Sequence, residues 1–341
     1  MELTKRKQNI LASIVNGYIR TGEPVGSKSI SELVGASSAT VRNEMADLTE
    51  LGLLEQPHTS AGRIPSARGY REYVDNLMPA QALSDSERYS LDAMLMKSSF
   101  DPERLLQGAA GTLSAATRYL AVSTSPSGAG SKIKAVQFVQ TSRRTAMLIL
   151  ISSAGTMKNK VFHCDFDLSN EIMRIFFRVI NERVTGRQVA EINRAFIQSL
   201  AISFRDLALL MSPALAALLE VAQETLQTEV FLSGQMNLLH YPEYQLGGIR
   251  QVMDLVEQPD VLCAMLTGKR NSTMIRIGPE NGAEALRTSA VVASRYSVGG
   301  SDAGAVAVIG PMRMDYARVA AQTAYIAERV GELLTSIMRE E

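Results

Sequence analysis

The sequence predicts an α+β protein of several domains. Its 341 residues are more than one ordinary hydrophobic core accommodates. The first 77 residues read as a helical unit that closes with a short hairpin. Strand patterns then lie on both sides of residues 169–228, where apolar side chains recur with helical periodicity. These patterns favour a sheet-containing domain that is interrupted by a mainly helical insertion.

Composition narrows the class of protein. The 35 Lys and Arg residues balance 35 Asp and Glu residues, so the formal net charge is zero. Taken alone, this neutrality weighs against a DNA-binding protein. With 46 % hydrophobic and 21 % charged residues, the chain is expected to fold rather than remain disordered.

Signals for a cellular compartment point to a reducing cytoplasm. The two cysteines, Cys164 and Cys263, are far apart in the sequence, which argues against a disulfide framework and a cysteine zinc site. The N-terminus is polar, unlike a secretory signal. The most apolar run, residues 200–222, is interrupted by charged residues and a proline, so no membrane span is predicted.

The N-terminal unit has the spacing of a helix-turn-helix. A first helix pattern carries one apolar stripe and ends at Gly22. A second helix starts near Ser27 and ends at Gly35, and Ser37 or Ser38 caps a third helix. Helix, short glycine turn and helix in this order are typical of the DNA-binding motif, although many helical pairs share them.

The third helix separates into an inward and an outward face. At 100° per residue, Val41, Met45 and Leu48 fall on one side and are expected to face the core. Small and polar side chains occupy the other positions of its first two turns. An ordinary solvated face is the alternative interpretation of this pattern. The candidate DNA contacts on this helix are Ser38, Ala39, Thr40, Arg42 and Asn43.

These side chains suit base edges and phosphates. The amide of Asn43 can pair bidentately with adenine, and the guanidinium of Arg42 can bind guanine or phosphate. Ala39 can contact a thymine methyl group, while hydroxyl groups reach backbone or bases. A recognition helix enters the major groove with its N-terminal residues, which is where this set lies.

A hairpin after the third helix predicts a wing. Residues 53–56 and 63–66 can pair as strands with residues 58–62 at the tip. Three arginines and no acid lie between Gln56 and Arg71, so positive charge is concentrated where a wing meets phosphates. A helix over residues 67–77 follows, with tyrosines for core or interdomain packing. The candidate DNA contacts here are His58, Thr59, Ser60, Arg63 and Arg68.

The remaining chain mixes strands and helices. Strands are predicted at 133–140, 145–152, 156–164, 273–277, 288–296 and 303–309. Helices are predicted at 84–97, 103–120, 246–257 and 315–338, in addition to the helical stretch. An amphipathic helical insertion often buries its spare face against a second copy of itself. Packing of those helices on the parent sheet is the alternative.

No catalytic or metal-binding constellation is evident in the sequence. Residues 128–132 contain glycines and a lysine, but not in the order of a phosphate-binding P-loop. His163 and Cys164 are neighbours in a predicted strand, so their side chains point to opposite faces and cannot converge. We therefore expect a protein that is not an enzyme and carries no metal and no cofactor.

Several long motifs carry a family resemblance. They are PVGSKSISELVGASSATVRNEMADLTELGLLEQPHTSAGR and TSAGRIPSARGYREYVD near the N-terminus, and later FLSGQMNLLHYPEY, IRIGPEN and AVAVIGPMRMDYARV. Together they resemble the HrcA family of bacterial heat-inducible transcription repressors over most of the chain. One small departure is Ser66, where the family more often has threonine; the hydroxyl is kept.

The resemblance implies a domain organisation and a function. It implies a winged helix over residues 1–77, a GAF-like domain formed by 80–165 and 231–341, and a dimerisation domain inserted at 166–230. It further implies a homodimer that represses chaperone operons at an inverted-repeat operator in double-stranded DNA. Such proteins lose activity on heat stress and depend on the GroEL/GroES chaperonin, with no membrane partner. The alternative is a metabolite-sensing winged-helix regulator that uses its GAF-like domain.

Overall fold

The fold is α+β and divided into several units, as the sequence predicts. The computed structural model describes residues 3–59, 61–96, 101–126, 128–204, 208–245, 247–266 and 272–339. Within these ranges the strands form antiparallel sheets of two, five and three strands.

The N-terminal unit (residues 3–77) has the predicted helix-turn-helix and hairpin. Its elements are α1 (Lys5–Thr21), α2 (Ser27–Val34), α3 (Ser38–Glu50), β1 (Leu54–Glu55), β2 (Ile64–Pro65) and α4 (Ala67–Glu72). A single π-helical segment, Tyr73–Leu77, continues α4. Gly22 and Gly35 end α1 and α2 in the left-handed conformation, which glycine adopts without a steric penalty.

The other strands and helices follow in chain order. The strands are β3 (Leu120–Thr124), β4 (Ile133–Gln140), β5 (Thr145–Ser152), β6 (Met157–His163), β7 (Val230–Ser233), β8 (Thr273–Ile277), β9 (Ser289–Val298) and β10 (Ser301–Pro311). The helices are α5 (Asp85–Leu95), α6 (Pro102–Thr117), α7 (Asn170–Val184), α8 (Arg194–Ser203), α9 (Ala208–Leu226), α10 (Gly248–Val256), α11 (Pro259–Met265) and α12 (Tyr316–Arg339).

The five-stranded sheet is covered on both faces. Its order is β7-β3-β10-β9-β8. Alternate residues of β10 separate into two cores: Val306 and Val308 pack with α6 and α12, whereas Ala305 and Ala307 pack with α10 and α11. Because side chains alternate across a strand, a sheet buried on both sides has apolar residues in succession. This sheet and its helices α5, α6 and α10–α12 are called the sheet domain below.

The three-stranded sheet corrects the predicted domain division. The sequence predicts that residues 133–164 join the C-terminal strands in one domain of residues 80–165 and 231–341. Instead, β4, β5 and β6 form their own sheet, and its buried face shares a core with α7, α8 and α9. The cores therefore divide before β4, not at residue 166. The unit of β4–β6 and α7–α9 is called the insert below.

Two short strands explain that error. The strand β3 follows α6 so closely that the helical prediction ran through residue 120, and β7 has four residues. Without these strands, β4–β6 were the available partners for the C-terminal strands. In the structure β3 pairs with both β10 and β7, and this pairing completes the five-stranded sheet.

The insert is connected to the sheet domain at two neighbouring strand ends. Thr124, the last residue of β3, pairs with Val230, the first residue of β7. Just beyond this pair, the Ser125 amide donates to the Glu229 carbonyl at 2.8 Å, and the Glu229 amide donates to Ser125 Oγ at 2.8 Å. The chain therefore leaves and re-enters the sheet domain at one place.

The apolar helix α9 belongs to the core of the insert. By length and composition alone it could cross a membrane, with a mean hydropathy of 1.2. Its side chains Met211, Leu215 and Leu218 are buried against the three-stranded sheet and neighbouring helices. Glu220 and Glu224 on the same helix pair with Lys160 of β6. Packing within the insert thus explains the apolar composition.

Replacing Gly69 with alanine tests the close approach of α4 to the hairpin. A β-carbon on Gly69 would lie 2.0 Å from the Leu53 carbonyl oxygen, a backbone atom that no rotamer change can move. We expect Gly69→Ala to lower the free energy of unfolding by about 3 kcal/mol. The matched control is Gly111→Ala in α6, where a β-carbon meets nothing within 4 Å and helix propensity favours alanine by about 1 kcal/mol. Thermal and urea unfolding measure both variants, and equal stabilities would contradict this packing.

Candidate nucleic-acid interface

Helix α3 is fixed by a cap and a buried stripe. Ser37 Oγ accepts the Thr40 amide hydrogen at 3.1 Å, which satisfies one free donor of the first turn. Val41, Met45 and Leu48 are buried, as predicted. The N-terminal half of the helix therefore has a defined outward face.

The candidate residues on α3 differ in accessibility. Ala39, Arg42 and Asn43 are exposed. Ser38 is half-buried, and its hydroxyl lies 2.9 Å from the hydroxyl of Ser27, which ties α3 to α2. Thr40 is half-buried with its hydroxyl 2.9 Å from Ser37 Oγ. Three side chains thus face solvent, and two hydroxyl groups also hold the helix in place.

Two acids of α3, Glu44 and Asp47, are paired with α1. Lys7 Nζ is 2.8 Å from Asp47 Oδ2 and 3.5 Å from Glu44 Oε2. The hydrogen bond to Asp47 is the main cause that raises the pKa of Lys7. These contacts offset part of the negative charge in the second half of α3, while the positive end of the helix dipole stays at the N-terminal half.

The hairpin forms the predicted wing and gains a third strand segment. Leu54 pairs with Pro65, and Arg63 forms an antiparallel bridge with Val25, with two N–H···O bonds of 2.9 Å. Gly62 fits here because a β-carbon would lie 2.4 Å from the Val25 carbonyl oxygen. The wing is therefore attached to the chain just before α2.

The tip of the wing is closed by one side chain. Gln56 Nε2 donates to the carbonyl oxygens of Thr59 and Ala61, at 2.9 and 3.3 Å. The predicted residues His58 and Thr59 are exposed there. Ser60, also predicted, lies outside the described residues.

Two wing arginines contact the end of α3. Arg63 Nε donates to Thr49 Oγ1 at 3.1 Å, and Arg68 Nη1 donates to the Leu51 carbonyl at 3.2 Å. Arg68 is exposed and Arg63 is half-buried. Their positive charge is thus held beside α3. Thr49 was not among the predicted residues, because its partner lies fourteen positions along the chain.

Arg71, predicted to add to the positive charge of the wing, contacts the sheet domain instead. Its Nε donates to Glu280 Oε1 at 2.9 Å and its Nη2 to the Ile275 carbonyl at 2.6 Å, both in the sheet domain. The prediction that Arg71 adds positive charge to the wing is therefore wrong. The partners lie more than 200 residues away, and nothing in local spacing indicates them.

Comparisons with known proteins agree with this geometry. The model of the HrcA protein C-terminal domain matches residues 103–320. The model described as winged helix-turn-helix transcription repressor, HrcA DNA-binding, matches residues 2–76. The chain belongs to the HrcA family.

Relatives in the HrcA family match over almost the whole chain. The heat-inducible transcription repressor HrcA of Halalkalibacterium halodurans is 34 % identical, with 99 % of each chain covered. The protein of that name from Acetivibrio thermocellus is 34 % identical, with 97 % of this chain and 96 % of the relative covered. A crystal structure of a hypothetical protein has a TM-score of 0.69 at 26 % identity, covering 98 % of this chain and all of that one. The family resemblance found in the sequence motifs is thereby confirmed.

Proposed function

We propose that this protein is a cytoplasmic heat-inducible transcription repressor, a regulator and not an enzyme. The observation that carries the proposal is the exposed N-terminal half of α3, with Ala39, Arg42 and Asn43, together with a wing whose Arg63 and Arg68 contact the end of that helix. Family membership and the repressor names of the relatives support it.

Recognition would divide between the helix and the wing. The Asn43 amide and Arg42 guanidinium have the donors and acceptors that base edges require in the major groove. Ser38, Thr40, Thr59 and the wing arginines would bind phosphates, and His58 and Ser60 complete the proposed set. The first 75 residues hold nine basic and nine acidic side chains. A neutral unit has modest non-specific affinity, so occupancy depends on two specific half-sites bound together.

We propose that the homodimer forms through the outward face of the three-stranded sheet in the insert. One cross-strand row on this face consists of Val139, Met147 and Val161, and a second contains Ile151 and Met157. Met157 is 60 % exposed and Val161 is 56 % exposed. The row between them, Gln137, Ile149 and Asn159, adds polar groups. A largely apolar sheet face of this kind suits an isologous contact with its own copy, which matches an inverted repeat.

Heat inactivation and chaperonin dependence are part of the proposal. Exposed apolar side chains on the insert, Ile202 and Leu209 besides the sheet face, offer the kind of surface that a chaperonin binds. On heat stress, unfolded proteins would compete for GroEL/GroES, and the folded repressor population would fall. Refolding of denatured protein should therefore give more operator-binding molecules with GroEL/GroES than without.

A metabolite-sensing regulator is the second candidate. A groove of about 880 Å³ lies between β8, β9 and α12, with hydroxyl groups of Thr273, Ser294 and Thr335 in its lining. This volume suits a small molecule. A compound that raises the melting temperature and also shifts operator affinity would favour this candidate.

Gel shifts on defined duplexes test the repressor function. The protein should bind an inverted repeat of the operator about 100-fold or more tightly than a scrambled duplex of the same length and composition. When the salt concentration is raised, the affinity for both duplexes should fall, because phosphate contacts release counterions. Equal affinity for both duplexes would overturn the proposal.

Asn43→Ala and Arg63→Ala separate base recognition from backbone binding. We expect Asn43→Ala to cost about 1–3 kcal/mol and to relax the preference at one base position. Arg63→Ala should weaken binding to all sequences and reduce the salt slope by about one. Glu50→Gln, on the same face two turns further along, is the control and should preserve base preference. The affinities of both alanine variants are measured for operators that differ at single base pairs. The same loss of affinity and the same base preference for both variants would contradict these roles.

Val161→Lys tests the dimer surface. Burying an unpaired ammonium group in an apolar interface should weaken dimerisation at least 30-fold, equivalent to about 2 kcal/mol. Tyr89→Lys is the control, since Tyr89 is 77 % exposed on α5, outside the insert. Analytical ultracentrifugation gives both dissociation constants. A Val161→Lys dimer as stable as the control would show that dimerisation uses another surface.

A further inference from the structure

The N-terminal unit and the sheet domain share one continuous apolar core. Tyr70 of α4 and Tyr316 of α12 are both 1 % exposed, with ring centroids 5.8 Å apart. Tyr73 lies in the same core and donates from its hydroxyl to Asn16 Oδ1 of α1 at 2.9 Å. The DNA-binding unit is therefore packed onto the next domain and not tethered by a flexible linker.

Arg71 fastens α4 to the sheet domain. Both carboxylate oxygens of Glu280 accept from Arg71, at 2.9 and 2.5 Å, and Ile275 supplies a carbonyl acceptor. Glu280 is itself fixed by the Ile277 amide at 2.9 Å. Burial raises the pKa of Glu280, but the bonds from Arg71 and Ile277 outweigh it and leave the pKa below its usual range. The bidentate geometry fixes orientation as well as distance.

Arg313 makes a second contact with the N-terminal unit, at the end of α1. A β-carbon on Gly22, the residue that ends α1, would lie 3.3 Å from Arg313 Cζ and Nη1. The guanidinium is held by Glu243, with Nε 2.5 Å from Oε1, and lies over the Tyr241 ring at 5.4 Å. A cation at this place is favoured by the negative end of the α1 dipole.

We propose that Arg71 and Arg313 are positioning residues that set the orientation of the winged-helix unit, and thereby the half-site spacing that the dimer accepts. Arg71 holds α4 and Arg313 lies at the end of α1, so the sheet domain contacts the unit at two separate points. Neither arginine needs to touch DNA in this role. The inference rests on the proposed function, because spacing has meaning only for a dimer on an inverted repeat.

The path from the insert to the sheet domain is also restrained. The insert joins at the paired residues Thr124 and Val230, and Lys158 of β6 pairs with Glu229 and, at 3.7 Å, with Glu103 of α6. A dimer held through the insert would therefore transmit a fixed geometry to each winged helix. The two arginines lie between the sheet domain and the winged-helix unit. Their contacts therefore determine whether the winged-helix unit keeps a fixed orientation relative to the insert.

The experiment compares one half-site, the inverted repeat, and repeats with two or five extra base pairs between the half-sites. The variants are Arg71→Ala and Arg313→Ala, singly and together, in the full chain. The control is Arg287→Ala, which removes an exposed ion pair to Glu284 within the sheet domain. Affinities are measured by fluorescence anisotropy, and unfolding temperatures are recorded for each variant.

We expect the double variant to bind one half-site within about 2-fold of the wild type while losing at least 10-fold on the full repeat, because bivalent gain depends on geometry. The wild type should reject a five-base-pair insertion, which rotates one site by about half a helical turn. The double variant should discriminate much less between spacings. A merely destabilising role would lower half-site and full-site binding together.

Several outcomes would overturn the inference. Spacing preference identical to that of the wild type and of Arg287→Ala shows that the two arginines do not position the unit. If the double variant does not fold, Arg71→Lys and Glu280→Gln decide: each keeps the approximate size of the side chain but weakens the bidentate pair, and each should broaden the range of half-site spacings that the dimer accepts. Failure of both to do so counts against the inference. A wild type without preference for the repeat over one half-site contradicts the proposed function instead.

Discussion

The burial of tyrosines between the N-terminal unit and the sheet domain is the constraint on which the rest of the structure depends. Desolvation raises the pKa of Tyr70 and Tyr316 well above the ordinary value, because burial disfavours the charged phenolate. Tyr316 donates to the Met312 carbonyl at 2.5 Å. The Tyr70 hydroxyl has no partner among the described residues, a cost of about 1–3 kcal/mol that burial of the ring offsets. Side chains around this core fix where α1, α4 and α12 meet.

The distribution of charge within the N-terminal unit matters more for binding DNA than its net charge. Lys7 pairs with Glu44 and Asp47 in the second half of α3, whereas Arg63 and Arg68 are held by neutral oxygen acceptors at its end. Neutral acceptors leave the arginine charge uncompensated and open to phosphate. The zero net charge of the chain therefore conceals positive charge that is concentrated on the wing, and the interpretation that neutrality weighs against DNA does not follow from it.

Local sequence patterns predicted the local structure well. Periodicity and glycine positions predict the helix-turn-helix, and runs of apolar residues predict the bounds of β4, β5 and β8 that the structure has. Sheet membership could not be derived, because strand pairing depends on contacts between distant segments and β3 and β7 are too short to show a period. The same limit applies to the site: exposure of Asn43 follows from helix angle, whereas the partner of Arg71 is 209 residues away.

The paired strand ends at Thr124 and Val230 mean that the insert could be gained or lost as one continuous stretch of coding sequence. Since its two ends are hydrogen-bonded neighbours, a short turn could close β3 onto β7 in its absence, and the five-stranded sheet would keep every strand. An ancestral chain could therefore have acquired the insert in one event without refolding its host. The same geometry would let the segment be exchanged for another oligomerising domain whose ends lie equally close.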